Sequence, residues 1–308
     1  MKRILMTAGA ALLVAGFGTA GAQAANIGIA LSSDTNPFYI AMLKGMKKRA
    51  AALGHTVSVV NAEEDIAKQL NGINDLIAQK VAGILISPID ARALCSAYTK
   101  AKKAGIPMMS IARGSACKDQ LLHIAVDELK VGGEIAAWTA NKIGGKGKVA
   151  VLAGPAGAQA FINFAKGYTN EMAKHSGIKI VFRHEMLLTR ENGLKFAEDA
   201  LVAHPDLKAI YGANDEIGLG AAQAVAASGM KGKVFVTGMN GVPPARFAVK
   251  RGAMGLTVAL NPVAWGTLGI NTMDAQLKGK AFDRKVYVGH VLVDSSNVDK
   301  FLPKKKKK

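Results

Sequence analysis

From Asn26 onward, short apolar runs alternate with longer stretches whose apolar positions recur every three or four residues. Ile27 to Leu31 reads as a strand, and Asn36-Pro37 then offers an N-cap and a first-turn proline for a helix ending at Gly54. Val57 to Val60 is a second strand. Ile66, Leu70, Ile73 and Ile77 stand four, three and four residues apart, so they share one helical face. Ala82 to Ser87 is apolar without alternation, as expected of a strand covered on both faces in a parallel sheet. A helix over 91–104, a strand over 107–112 and a further strand ending near Val126 complete this series. A second series begins after Asp127. It runs helix to about Lys142, strand 148–153, helix 159–175, strand 178–182, helix 191–203, strand 208–212, helix 215–228 and strand 233–237. Helix 262–278, strand 286–293 and a final short helix or coil close the chain. The alternation predicts an α/β protein built as two sandwiches in series. The length agrees, because about 280 residues exceed what one core usually serves.

The N-terminus breaks this pattern. Lys2 and Arg3 precede an apolar run from Ile4 to about Phe17, followed by small residues ending Ala22-Gln23-Ala24. This is the form of a secretory signal peptide, here residues 1–25, cleaved near Ala24 or Ala25. The run is too short for a membrane span, and no cysteine follows it for lipid attachment, so a freely diffusing periplasmic protein is expected. In that oxidising compartment Cys95 and Cys117 are expected to pair, since one begins the helix after strand 82–87 and the other follows the neighbouring strand 107–112.

The formal net charge of +18 changes the picture little. Two basic residues leave with the leader, Lys304 to Lys308 form a terminal run expected to be disordered, and the remainder alternates with acidic residues along the helices. With only five Tyr and two Trp for base stacking, no nucleic-acid partner is expected. The six histidines, at 55, 123, 175, 184, 204 and 290, lack metal-ligand spacing, so neither a metal nor another cofactor is expected. Catalytic motifs are missing too. Gly154-Pro155-Ala156-Gly157 is not G-x-G-x-x-G and reads as an interlobe loop, and Asp215-Glu216 are adjacent carboxylates that point in different directions on a helix.

Ser32-Ser33-Asp34-Thr35-Asn36-Pro37-Phe38-Tyr39 resembles the S-x-x-x-N-P-F-F/Y loop of ribose-type periplasmic sugar-binding proteins. Ile84-Leu85-Ile86-Ser87-Pro88, Gly105-Ile106-Pro107, Asp127, the segment from Ala203 to Ala209, and Ala213-Asn214-Asp215-Glu216 with Leu219-Gly220-Ala221 follow in the same order and spacing. The resemblance implies a type I periplasmic binding protein, with two Rossmann-like three-layer (αβα) lobes joined by a three-strand hinge. The crossings would fall near Asp127, Leu260 and Gly289. They divide the chain into an N-terminal lobe of 26–126 plus 261–289 and a C-terminal lobe of 127–260 plus 290–303, with 304–308 as a tail.

The same resemblance assigns N-lobe ligand contacts to Ser32, Asn36, Phe38, Tyr39, Ala112 and Arg113, and C-lobe contacts to Phe164, Leu188, Asn214, Asn240 and Leu260. Asn36 is equally a helix cap, and the two roles are compatible. Phe38 and Tyr39 either cover a ligand's carbon surface or fill the core. Arg113 is expected to turn its fork toward the ligand. Four positions depart from the pattern. Ala112 and Asn240 stand where sugar binders carry aspartate, Phe164 where an arginine is usual, and Leu260 where a polar side chain is expected. The implied function is that of the solute-binding component of an ABC importer, not an enzyme. It would be a monomer that partners a membrane permease and binds a small neutral ligand such as a polyol, a sugar or a less hydroxylated alcohol. The alternative is a periplasmic sensor presenting its ligand to a membrane receptor or histidine kinase.

Overall fold

A computed structural model describes residues 24–303. The leader, apart from Ala24 and Ala25, and the terminal lysine run lie outside the described residues. The first series comprises β1 (Asn26–Leu31), α1 (Pro37–Ala52), β2 (Thr56–Asn61), α2 (Ile66–Ala78), β3 (Gly83–Ile86), α3 (Cys95–Lys103), β4 (Met108–Ile111) and β5 (His123–Ala125). The second comprises α4 (Glu128–Lys142), β6 (Lys146–Ala153), α5 (Gln159–Met172), β7 (Gly177–Glu185), α6 (Arg190–Ala203), β8 (Leu207–Gly212), α7 (Asp215–Ala227), β9 (Phe235–Asn240), α8 (Pro243–Lys250) and β10 (Leu256–Ala259). Then come α9 (Pro262–Leu277), β11 (Lys285–Tyr287), β12 (Val291–Asp294) and a 3-10 turn at Val298–Phe301.

The strands form two six-stranded sheets with one topology, β11-β5-β4-β3-β1-β2 and β12-β10-β9-β8-β6-β7. The first is parallel throughout, and in the second only β12 runs antiparallel, against β10. Helices α1 and α9 pack together beside the first sheet, and α4–α5 and α6–α7 pack as pairs beside the second. The result is two three-layer α/β lobes. The chain passes from one sheet to the other after β5, returns after β10, and passes again between β11 and β12. The β1, β3 and β4 side chains are buried on both faces, which explains their unbroken apolar sequences.

Several boundaries depart from the sequence pattern. The expected strand 286–293 is two strands, interrupted at Val288, Gly289 and His290, whose halves belong to different sheets. Helix α3 starts at Cys95, not at 91, because the Asp90 carboxylate accepts from Arg92 N and Ala93 N and holds that segment in a separate turn. Helix α8 and strand β10 were not predicted. Each is short, and α8 buries only Ala245, Ala248 and Val249, too few for a visible period.

Cys95 and Cys117 form a disulfide with Cα atoms 5.0 Å apart, tying the start of α3 to the loop after β4. Replacing both with alanine is expected to lower unfolding free energy by about 3 kcal/mol, the loop-closure entropy of a loop this long. Urea denaturation checks this, and a loss well under 1 kcal/mol would show that the bridge adds nothing to the folded state.

Candidate functional site

Residues at or beyond the carboxyl ends of β1, β4, β7, β9 and β10 line one cavity between the lobes, the side on which ligands bind in open α/β folds. After β1, Ser33 Oγ accepts from Asn36 N (3.2 Å) and Asn36 Oδ1 accepts from Phe38 N (3.0 Å), which starts α1. Phe38 and Tyr39 thereby turn inward from the first helical turn. Their rings meet edge to face at 5.4 Å, and Phe38 meets Trp265 of α9 in the same way at 5.5 Å. Helices α1 and α9 approach closely enough for this because Gly45 and Gly266 leave no room for a Cβ against the facing backbone.

At the end of β4, Ala112 has φ +66° and Arg113 N donates to Ile111 O (2.8 Å), a tight three-residue turn that aims Arg113 across the sheet end. Arg113 is 1% exposed. Its guanidinium lies 5.5 Å from the Tyr39 ring and 5.3 Å from the Phe161 ring, so it bridges the two lobes. The other lobe supplies Phe161 and Phe164 from α5, Leu188 after β7, Met239 and Asn240 at the end of β9, and Leu260 beyond β10. With Asn36, Phe38, Tyr39, Ala112, Arg113, Val126, Ala160 and Trp265, they line a cavity of about 40 Å³. Nearby, the lobes touch directly where Ala91 N donates to Gly157 O (2.9 Å). The Gly154–Gly157 loop does lie between the lobes.

The structure thus gathers most of the expected ligand contacts around one cavity. Ser32 and Asn214 are the exceptions, being buried without lining it. Asn214 caps α7 through its Oδ1, which accepts from Ile217 N (2.9 Å), while its Nδ2 and Ser32 Oγ have no hydrogen-bond partner among the described residues. The fork of Arg113, expected to face the ligand, has a carboxylate partner within its own lobe. Nη1 and Nη2 both donate to Glu64, each at 2.8 Å, because that carboxylate reaches the guanidinium's outer edge, and Nε is left without a partner. Asp215, beside the site, is fully buried. Burial pushes its carboxyl up to about 7, against hydrogen bonds from Thr257 Oγ1 (2.6 Å) and Val242 N (2.7 Å) that tie α7 to β10 and the loop after β9. Glu216 points elsewhere and pairs with Arg190.

Sequence reasoning missed Glu64, Phe161, Met239 and Trp265. Phe161 stands one turn before Phe164, and that spacing was the available signal.

Residues 27–281 match the model of the periplasmic binding protein domain. The chain belongs to the periplasmic binding protein family. Members of this family bind solutes and are not enzymes. This periplasmic binding protein is 33% identical to the ribose import binding protein of Bacillus subtilis over 84% of both chains. It is also 33% identical to the D-allose-binding periplasmic protein of Escherichia coli, over 90% of this chain and 93% of that one. Among solved structures, an ABC transporter solute binding protein from Mycobacterium smegmatis with bound glycerol superposes with a TM-score of 0.87 at 28% identity, covering 92% of this chain and 98% of the other. The fold is that of a type I periplasmic binding protein.

Proposed function

We propose that this chain is the solute-binding component of an ABC importer, working as a monomer in the periplasm and closing its lobes on a small uncharged polyol or a sparsely hydroxylated sugar. The hinge is formed by the three crossings, with residues 26–126 and 261–289 moving against 127–260 and 290–303. The observation that carries the reading is the two-sided cavity. Its N-lobe wall includes Asn36 and Arg113, whereas its C-lobe wall is mostly Phe161, Phe164, Leu188 and Leu260. A ligand hydroxyl set against phenylalanine or leucine loses its water without gaining a partner, at about 1–3 kcal/mol each. A pyranose hydroxylated on every side is therefore disfavoured, and a short polyol with its oxygens on one side fits. The glycerol in the M. smegmatis structure supports the short end of this range, and ribose and allose in the relatives' names mark the chemistry from which this pocket has departed.

A thermal-shift panel of glycerol, xylitol, erythritol, ribose, allose and glucose tests this, followed by calorimetry on any hit. A polyol is expected to bind while ribose and glucose do not. The double substitution A112D/F164R, which restores the groups usual in sugar binders, is expected to weaken the polyol and improve the pentose. Tight ribose binding by the unaltered protein would overturn the reading.

A further inference from the structure

Glu64 lies outside the cavity lining, yet it is placed with unusual care. It follows β2 in a turn where Glu63 and Glu64 both adopt left-handed backbone, φ 50° and 57°. That conformation is disfavoured for residues with a Cβ and persists only where the surroundings enforce it. Glu64 N donates to Ser32 O (2.7 Å), pinning the turn to the end of β1, and Asp65 caps α2 immediately afterwards through Lys68 N (2.8 Å). From this turn the Glu64 side chain reaches Arg113, 49 residues away, in a two-pronged pair. Through its backbone N–H and its carboxylate, one residue thereby links the loops after β1, β2 and β4. Among the described residues no carboxylate lines the cavity itself, and Arg113 is its one charged wall residue.

We propose that Glu64 is a positioning residue of the ligand site. Its carboxylate takes one N–H from each Nη of Arg113 and fixes the plane of the guanidinium, leaving Nε without a partner among the described residues, and it cancels the guanidinium charge, so that the site suits an uncharged ligand. Ala112 leaves Arg113 without a carboxylate beside it in sequence, and Glu64 provides one from a different loop. The inference rests on the polyol reading for the identity of the ligand but not for the Arg113 geometry, so the two are tested separately.

The experiment uses the whole protein with ¹⁵N label, following the Arg113 Nε–H resonance in wild type, Glu64→Gln and the double variant E64Q/A112D. Calorimetry with glycerol and xylitol is run on the same three samples, with glycerate as the anionic counterpart of glycerol. In E64Q the resonance is expected to broaden away, the affinity for the polyol that wild type binds to fall by at least about tenfold, and glycerate to gain affinity relative to glycerol. E64Q/A112D restores a carboxylate next to Arg113 and should return the resonance close to wild type. A resonance as sharp in E64Q as in wild type, or an unchanged polyol affinity, overturns the proposal. If wild type binds neither polyol, the polyol reading fails while the resonance comparison alone decides the role of Glu64. Circular dichroism of E64Q, a near-isosteric change, confirms that the comparison is made on folded protein.

Discussion

Arg113→Met is expected to weaken ligand binding by about a hundredfold or more, the largest effect of any single side chain in the cavity. Arg113 contributes in two ways that methionine cannot reproduce. Its Nε–H is a charged donor with no partner among the described residues, and a hydrogen bond from a charged group adds about 1.5–3 kcal/mol to the oxygen it meets. Its face also lies on Phe161 of the opposite lobe, a cation–π contact of about 1 kcal/mol that exists only when the lobes are together. Methionine fills much of the volume, so the loss is electrostatic and not a cavity effect. Glu64 is left unpaired, but its side chain is 21% exposed, and water reaching it softens the cost to folding. Calorimetry measures the affinity and urea denaturation the stability. A change in affinity below about tenfold would mean that the ligand does not touch this group.

Gly157→Val is expected to hold the lobes apart. Gly157 O accepts from Ala91 N across the cleft, and a Cβ at Gly157 would run into the Asp90 carboxylate. Asp90 cannot swing aside without cost, because one of its oxygens is held by Arg92 N (2.7 Å) and Ala93 N (2.8 Å). The three atoms nearest that Cβ all belong to Asp90, in the other lobe, so folding stability should change little while the closed state is penalised. Apparent affinity then falls with the fraction of molecules able to close, on the order of a hundredfold for a penalty of a few kcal/mol. Small-angle scattering gives the direct readout: wild type should contract on adding ligand and G157V should not. Contraction of G157V at wild-type ligand concentration would show that this contact plays no part in closure.

The alternation of strands and helices was legible because inner strands such as β1, β3 and β4 are buried on both faces and nearly all apolar, and because Asn36-Pro37 announces α1 by its chemistry. The two halves of 285–294 were not separable. Lys285 to Asp294 keeps one β-like pattern throughout, and nothing local in Val288-Gly289-His290 records that Val286 pairs with Ile124 while Leu292 pairs with Val258. The cavity was legible where the resemblance named positions, as for Arg113, Phe164 and Leu260. Trp265 and Glu64 escaped for opposite reasons. Trp265 reads as an ordinary core residue of an apolar helix, and it reaches the cavity only because α9 packs on α1. Glu64 sits in an acidic run, Glu63-Glu64-Asp65, that reads as a solvated turn, and its partner follows β4, with β1 and β3 standing between in the sheet.

The order in which the sheets are completed has a bearing on how the chain is made. The first lobe begins at residue 26, but α9, which packs on α1, and β11, the edge strand beside β5, come from residues 262–287. A nascent chain emerging from the ribosome cannot finish either lobe until nearly all of it exists, because the last strand of the second sheet ends at Asp294. Contacts of such long sequence separation form slowly, since loop closure precedes the energy they return. Until residues 262–294 have been made, α1 lacks α9, β5 lacks β11 and β10 lacks β12, so the packing of both lobes is completed only by the carboxyl end of the chain.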